Sequence, residues 1–214
     1  MSRSRLLAAA LALLAAASPL RAQYLPVGPQ HDVSLSTILD GGWTQCYAAS
    51  FGAPVGNSAE RVLSSCTGTY LLMGGRATGA SSFLLLAAGK ASDITTDTGA
   101  GTSNTHAVNG AEWYFSPDWS WGFAPLGASV SLNSCDTQWG DDRLCLHTLD
   151  WTGGYRVGNV MGLNGSTDYE KVFFQRDELD PTTPNTTTPE PATWSLMGGG
   201  LLAMAFAVRR RRSA

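Results

Sequence analysis

Residues 112–123 read EWYFSPDWSWGF, which is two short aromatic runs with a Ser-Pro-Asp turn between them. In the second run, Trp119, Trp121 and Phe123 alternate with smaller residues. A period of two is that of a β-strand with one aromatic face, and the first run ends at turn residues as strands do. The stretch therefore predicts two β-strands.

The rest of the central region repeats this pattern of short apolar runs that end at Gly-rich or polar turns. The further predicted strands cover residues 70–73, 82–87, 129–132, 143–147, 154–157 and 170–175. Their spacing of roughly 8 to 15 residues is typical of an antiparallel all-β sandwich or barrel-like domain, here expected over residues 23–180. The sequence predicts one short helix, over residues 58–65 with Ser58 as its cap, and residues 23–42 are interpreted as a lead-in.

The N-terminal segment has the pattern of a secretory signal peptide, over residues 1–22. Arg3 and Arg5 precede an unbroken Leu/Ala run at residues 6–17, which is too short to span a bilayer. Cleavage is expected between Ala22 and Gln23, and a cut after Ala17 is the alternative. The Sec machinery is the expected export partner.

The C-terminal segment has the pattern of a membrane anchor that follows a linker. Residues 181–188 form a Thr/Pro tract, which predicts an extended, flexible linker. Residues 192–208 are apolar and long enough for one transmembrane helix. Four arginines then follow, and the positive-inside bias keeps them cytoplasmic; they are Arg209, Arg210, Arg211 and Arg212.

Residues 189–214 also contain a three-part signal. Pro189, Glu190 and Pro191 precede the apolar segment and the arginine cluster. This order resembles the PEP-CTERM sorting signal of Gram-negative bacteria. The resemblance implies a transient anchor in the inner membrane, recognition and cleavage near the motif by the membrane protease-transpeptidase exosortase, and delivery to the envelope or the extracellular matrix. It also implies an association with exopolysaccharide production and biofilms.

Four cysteines lie in the central region, at positions 46, 66, 135 and 145. An even number of cysteines in an oxidising compartment favours two disulfides. Of three connectivities, the local pairs Cys46–Cys66 and Cys135–Cys145 are expected. A metal site is the alternative, although no pair has the Cys-x-x-Cys spacing that structural zinc usually needs.

The central region is acidic once the two targeting segments are set aside. Residues 23–180 hold seven Lys and Arg against sixteen Asp and Glu, a formal charge of −9. Such a domain will not bind nucleic acid or anionic lipid by bulk electrostatics. Neutral polysaccharide and divalent cations fit the charge better, and acidity also serves solubility outside a cell.

No catalytic motif is present in the sequence. It has no Gly-x-Ser-x-Gly elbow, no complete P-loop and no His-Glu-x-x-His motif, and the three histidines (His31, His106 and His147) are scattered. We therefore expect a protein that is not an enzyme and that needs no cofactor. A secreted hydrolase of polysaccharide or peptide is the alternative, with Glu112 and Asp118 as candidate carboxylates.

Two acidic loops are candidate calcium sites, because calcium takes six to eight oxygen ligands. The first comprises Asp93, Asp97, Thr98, Thr102 and Asn104, and the second comprises Asp136, Asp141 and Asp142. Neither matches the EF-hand pattern, and turn formation by Asp and Asn is the alternative explanation.

Exported sugar-binding domains stack aromatic rings on sugar faces, and Trp119 and Trp121 are the leading candidates here. Trp113, Tyr114, Trp139 and Trp151 are further aromatic residues of the region. Aromatic residues at strand spacing also form cores, which is the alternative. The sequence as a whole predicts an exported, non-catalytic envelope or matrix protein that engages extracellular polysaccharide.

Overall fold

The computed structural model describes residues 23–177 and 185–186. The predicted signal peptide with Ala22, most of the linker, the Pro189–Pro191 motif, the apolar segment and the terminal arginines lie outside the described residues. Within the described part, no helix is long and apolar enough to cross a membrane.

The described residues form sixteen strands and three α-helices. In chain order, the strands are Gln23–Tyr24 (β1), Val33–Ser34 (β2), Thr44–Ser50 (β3), Tyr70–Ala77 (β4), Ser82–Phe83 (β5), Leu85–Lys90 (β6), His106–Val108 (β7), Ala111–Phe115 (β8), Ser120–Pro125 (β9), Leu132–Asn133 (β10), Cys135–Asp136 (β11), Leu144–His147 (β12), Gly154–Val157 (β13), Val160–Met161 (β14), Tyr169–Arg176 (β15) and Asn185–Thr186 (β16). The helices are Leu35–Asp40 (α1), Glu60–Leu63 (α2) and Ala91–Ile94 (α3), with a 3₁₀ turn at Asn57–Ala59.

Two antiparallel sheets dominate the fold. One has four strands in the order β3-β15-β4-β6, and the other has six in the order β14-β13-β12-β9-β8-β7. The described residues also form three two-stranded pairs: β2 with β5, β10 with β11, and a parallel pair of β1 with β16. The prediction of a β-rich, antiparallel fold is confirmed.

The main core lies between the two large sheets. The Trp121 ring of the six-stranded sheet lies 5.1 Å from the Phe173 ring of the four-stranded sheet. Gly75 lets the sheets approach, because a Cβ at this position would lie 2.7 Å from a methyl carbon of Val157. The two sheets therefore pack face to face as a sandwich.

Each sheet carries a further layer on its outer face. Residues 23–43 cover the four-stranded sheet and bury Tyr24, Val33, Ile38 and Trp43 against it. The interpretation of this stretch as a mere lead-in is wrong, because its apolar residues complete a second core. Residues 126–142, here called the covering segment, pack Val130 and other residues on the outer face of the six-stranded sheet.

The helix prediction needs correction in two respects. The predicted helix at residues 58–65 is reduced to α2, and it begins after Ala59, whose φ of 54° is left-handed and whose side chain makes no cap. Ser58 is therefore not the cap. In addition, α1 and α3 were not predicted; α1 begins after Ser34, whose hydroxyl accepts a hydrogen bond of 3.1 Å from the Thr37 amide.

The disulfide prediction is confirmed in both pairs. Cys46–Cys66 ties β3 to the chain after α2, and Cys135–Cys145 ties β11 to β12. The strand predictions hold for most segments, but β3 and β7 were missed, as were the two-residue strands β1, β2, β11, β14 and β16. The strand expected at residues 129–132 is reduced to β10, because residues 129–131 belong to the irregular covering segment.

Candidate binding site

The covering segment is held to the sheet by a buried ion pair as well as by the Cys135–Cys145 bond. Asp136 is fully buried, and its carboxylate accepts hydrogen bonds from the backbone amides of Ser131 and Gln138 at 3.1 and 3.0 Å. The Arg143 guanidinium donates to the same carboxylate. Buried ionic groups that are paired and hydrogen-bonded in this way specify one backbone arrangement.

Arg156 fixes the next part of the covering segment from beneath. Its side chain is almost completely buried, and its Nη1 and Nη2 atoms donate 2.5 Å hydrogen bonds to the backbone carbonyls of Gln138 and Gly140. Two further bonds reach the Gly158 carbonyl. Burial lowers the pKa of Arg156, and the nearby Asp136 carboxylate opposes that shift. The guanidinium holds the backbone on both sides of Trp139 through these hydrogen bonds.

A polar cavity of about 160 Å³ opens beside the disulfide. Its lining residues come from the covering segment, from β12 and β13, and from the chain before β15; they are Asn133, Ser134, Cys135, Thr137, His147, Tyr155 and Asn164. The lining offers two amides, several hydroxyls, an imidazole and a phenol ring. None of these residues is an Asp, Glu, Lys or Arg, so the cavity presents neutral donors and acceptors.

His147 is the most sheltered polar group of the cavity, with 4% of its surface exposed. It ends β12, two positions after Cys145, on the outer face of the sheet. Its Nδ1 atom is buried without a hydrogen-bond partner. Burial lowers the pKa of His147, and interactions with the Asn164 side chain and the Trp119 backbone partly oppose that shift. At neutral pH the ring is therefore neutral, with one donor and one acceptor nitrogen.

The turn between β10 and β11 shapes the rim of the cavity. Asn133 pairs with Cys135 across this tight turn, which leaves Ser134 alone at its tip. Ser134 adopts a φ of 68°, the left-handed conformation that few side chains other than Asn and Asp adopt readily. A strained residue at the edge of a cavity is a common feature of functional sites.

The sugar-stacking prediction is wrong for Trp121. This side chain is fully buried, and its Nε1 donates a 3.0 Å hydrogen bond to the Ile94 carbonyl. Trp119 is half-buried, and its indole nitrogen is shielded from solvent without a hydrogen-bond partner. Sequence alternation identified the strand but could not show that its aromatic face points into the sandwich.

Two other indoles are the exposed ones. Trp139 is 85% exposed in the covering segment, and Trp151 is 79% exposed in the loop between β12 and β13. Both stand outside any period-two pattern, so no periodic signal favoured them over Trp119 and Trp121. Five cavity residues were also missed, because single polar residues carry no periodic signal; they are Asn133, Ser134, Thr137, Tyr155 and Asn164.

Several oxygens of the two predicted calcium loops make hydrogen bonds within the protein. The Asp136 carboxylate is paired with Arg143, and it does not cluster with Asp141 and Asp142. In the first loop, the Asp97 carboxylate accepts a 2.8 Å bond from the Gly99 amide, as in a local turn. The Thr98 hydroxyl donates a 3.1 Å bond to the Phe115 carbonyl of β8, and the Thr102 hydroxyl donates a 2.7 Å bond to the Thr98 carbonyl.

One group of potential metal ligands occurs among the described residues. His31, Asp141 and Asp142 bring one ligand atom each to within 4.8 Å of the others. The His31 Nε2 atom already lies 2.6 Å from the Asp142 carboxylate, and both side chains are exposed. The arrangement is thus a hydrogen-bonded His–Asp pair at the surface with an adjacent carboxylate.

The candidate hydrolase carboxylates do not converge. Glu112 lies near the start of β8, where its carboxylate accepts bonds from the Thr105 hydroxyl and the Gly127 amide at 2.7 and 2.9 Å. Asp118 lies in the turn beyond the other end of β8 and is exposed. His106 is likewise exposed on β7, opposite Trp113 and away from the cavity.

Comparison with known proteins identifies the C-terminal segment alone. Residues 187–212 match the family model described as the PEP-CTERM protein-sorting motif, which covers Pro189, Glu190, Pro191 and the arginine cluster. No curated protein and no solved structure matches the chain. The motif implies export and membrane-associated sorting in a Gram-negative bacterium. The chain therefore carries, behind its β-rich domain, the PEP-CTERM protein-sorting motif at residues 187–212.

Proposed function

We propose that this protein is a non-catalytic module of the envelope or extracellular matrix, which is sorted by exosortase and binds neutral polysaccharide in the cavity around His147. The Sec machinery exports it, the apolar segment at residues 192–208 anchors it briefly in the inner membrane, and cleavage near Pro189–Pro191 releases or transfers it. The β-domain then engages exopolysaccharide, as in a biofilm matrix.

The observation that carries this proposal is the composition of the cavity. Sugar hydroxyls both donate and accept hydrogen bonds, and the Asn133 and Asn164 amides, the Thr137 hydroxyl and the neutral His147 imidazole can do the same. The Tyr155 ring adds an apolar face of the kind that packs against sugar C–H groups. Binding sites combine a few placed polar groups with such apolar surface.

The rigidity of the walls supports recognition rather than incidental roughness of the surface. The Cys135–Cys145 bond, the Asp136–Arg143 pair and the Arg156 hydrogen bonds fix the covering segment before any ligand arrives. A preorganised site does not lose conformational freedom on binding, so weak individual contacts add up to useful affinity.

The charge of the domain selects the ligand class. At a formal charge of −9 over residues 23–180, the domain repels uronic-acid and phosphate-bearing polymers. No Lys or Arg lines the cavity to offset that repulsion. Neutral glycans are not repelled by the charge of the domain.

The same lining argues for binding over the hydrolase alternative. Glycosidases generally need two carboxyl groups about 5 to 10 Å apart across the scissile bond. The cavity residues include no carboxylate, and Glu112 and Asp118 lie at opposite ends of β8.

The test is calorimetry on the processed protein purified from the expressing cells, against neutral glucan and mannan oligosaccharides and against acidic uronic-acid oligomers. We expect binding of a neutral ligand, its loss in Asn164→Ala, and its retention in Asn57→Ala, an exposed asparagine outside the cavity. Turnover of the oligosaccharide, or equal binding by both variants, would contradict the proposal.

A further inference from the structure

We propose that Trp139 forms a second subsite, which stacks on a sugar unit outside the cavity, so that the domain binds along a polysaccharide chain and not only one sugar of it. This inference rests on the proposed function, because it assumes that the first sugar occupies the cavity around His147. It names the ligand as a chain of several neutral sugar units.

Trp139 lies next to the cavity along the chain. Trp139 follows the cavity residue Thr137 by two positions in the covering segment. Two residues span at most about 7 Å, so the Trp139 backbone lies within one sugar unit's reach of the cavity lining. A chain that leaves the cavity over this rim meets the indole.

The Trp139 indole is exposed to solvent, and its flanking backbone is held in place. The indole is 85% exposed, so a large apolar surface lies in water. Covering that surface with a ligand would lower the free energy. Single exposed apolar residues are common and carry no meaning by themselves. Here, however, the carbonyls on both sides, those of Gln138 and Gly140, are held by the buried Arg156 at 2.5 Å.

The hydrogen bonds from Arg156 also fix where Trp139 is presented. The buried Arg156 guanidinium fixes the backbone of this exposed loop. Gly140 adopts a φ of 137°, which turns the chain directly after Trp139. The indole is thereby offered from a fixed backbone, as aromatic anchors of binding sites are.

Trp151 provides the internal comparison. It is nearly as exposed as Trp139, but it stands four residues from each of the nearest cavity residues in sequence, His147 and Tyr155. Its loop is held by the buried Thr148 hydroxyl, which donates a 2.6 Å hydrogen bond to the Ser116 carbonyl. Trp151 thus differs from Trp139 in its separation from the cavity residues along the chain and not in the support of its loop.

The experiment measures affinity against chain length. Wild-type protein, purified after processing, is titrated with β-1,4-glucan, β-1,3-glucan and α-mannan oligosaccharides of one to six units. We expect at least one series to bind with affinity that rises with length, a loss of that rise by roughly tenfold in Trp139→Ala, and partial retention in Trp139→Phe. Trp151→Ala should match the wild type.

The outcomes separate the two proposals. If monosaccharide and long oligosaccharide bind equally, or if Trp139→Ala keeps the full length dependence, the second subsite is refuted while the cavity proposal stands. A loss in Trp151→Ala instead of Trp139→Ala likewise refutes it. If no saccharide in the three series binds at all, the proposed function itself is overturned, and the subsite with it.

Discussion

The Lys171 Nζ atom donates a 3.0 Å hydrogen bond to the backbone carbonyl of Phe51 and lies 5.7 Å from the centre of the Phe51 ring. The same carbonyl accepts a 2.6 Å bond from the Gly154 amide of the opposite sheet. Lys171 also donates to the carbonyls of Ser50 and Ala53. One buried side chain of the four-stranded sheet thus holds the turn after β3, which contacts the six-stranded sheet through the Phe51 carbonyl.

Replacing this lysine should destabilise the sandwich. In Lys171→Met, three carbonyls lose a donor in a buried place, and we expect a loss of about 2 to 4 kcal/mol in the free energy of unfolding. Denaturant unfolding under non-reducing conditions measures it. Lys90→Met, at an exposed lysine, is the control and should change stability by less than about 0.5 kcal/mol. Equal stability of the two variants would refute this role.

The two disulfides should contribute similarly to stability and differently to binding. Each closes a short loop, so replacing either pair by serines should cost about 3 kcal/mol on the loop-entropy account. Removal of Cys135–Cys145 should also weaken glycan binding, because Cys135 lines the cavity. Removal of Cys46–Cys66 should leave the affinity of the folded protein unchanged. Thermal unfolding and calorimetry on both variants check this, and equal effects on affinity would contradict it.

Acid should destabilise the domain through His147. Burial lowers the pKa of His147 below its ordinary value of 6.5, so below about pH 6.5 the unfolded chain binds a proton that the folded domain resists. Stability therefore falls as the pH drops through that value. Unfolding free energies from pH 7.5 to 5 should show a slope that is smaller in His147→Gln. An identical slope in both proteins would show that other groups cause the acid sensitivity.

Arg156→Lys should loosen the loop that carries Trp139. A single ammonium group cannot reproduce the planar fork that reaches both Gln138 and Gly140. We expect faster amide exchange over residues 137–141 with the two large sheets still protected. Unchanged exchange in that loop would mean that the other restraints of the covering segment suffice without Arg156.

Processing at the sorting motif can be read from the mass of the mature protein. We expect a C-terminus near Pro189–Pro191 that lacks Arg209–Arg212, and a full-length, membrane-bound chain when Glu190 is changed to Ala. Intact-mass spectrometry of the envelope and extracellular fractions measures both. A mature form that keeps the four arginines would contradict sorting by cleavage.

The sequence predicted the parts of this fold that have a local signal. Alternation at Trp119, Trp121 and Phe123 identified β9, and loop lengths favoured the observed cysteine pairs. Alternation cannot tell which sheet face is covered, so it left open whether Trp121 faces a sugar or the core. Residues 23–43 lack a strong period because they cover a sheet as an outer layer, and their contribution to the core could not be foreseen.

The candidate site had no comparable signal. Its residues come from three separate parts of the chain, and Asn133, His147 and Asn164 meet only because the covering segment folds back on β12. Asp136 was grouped with Asp141 and Asp142 because all three are carboxylates of one loop. Its pairing with Arg143, seven residues further along the chain, follows no sequence motif. Charge pairing within a folded loop is decided by tertiary packing.

Neutral polysaccharide is expected to bind in the cavity around His147. The most direct measurement is an NMR titration of the processed protein with a neutral oligosaccharide series, in which side-chain amide and imidazole signals are followed. The account predicts shifts that centre on Asn133, His147 and Asn164, while signals at Asn57 stay still. Saturable shifts centred elsewhere, or no shifts with any neutral oligosaccharide, would contradict it.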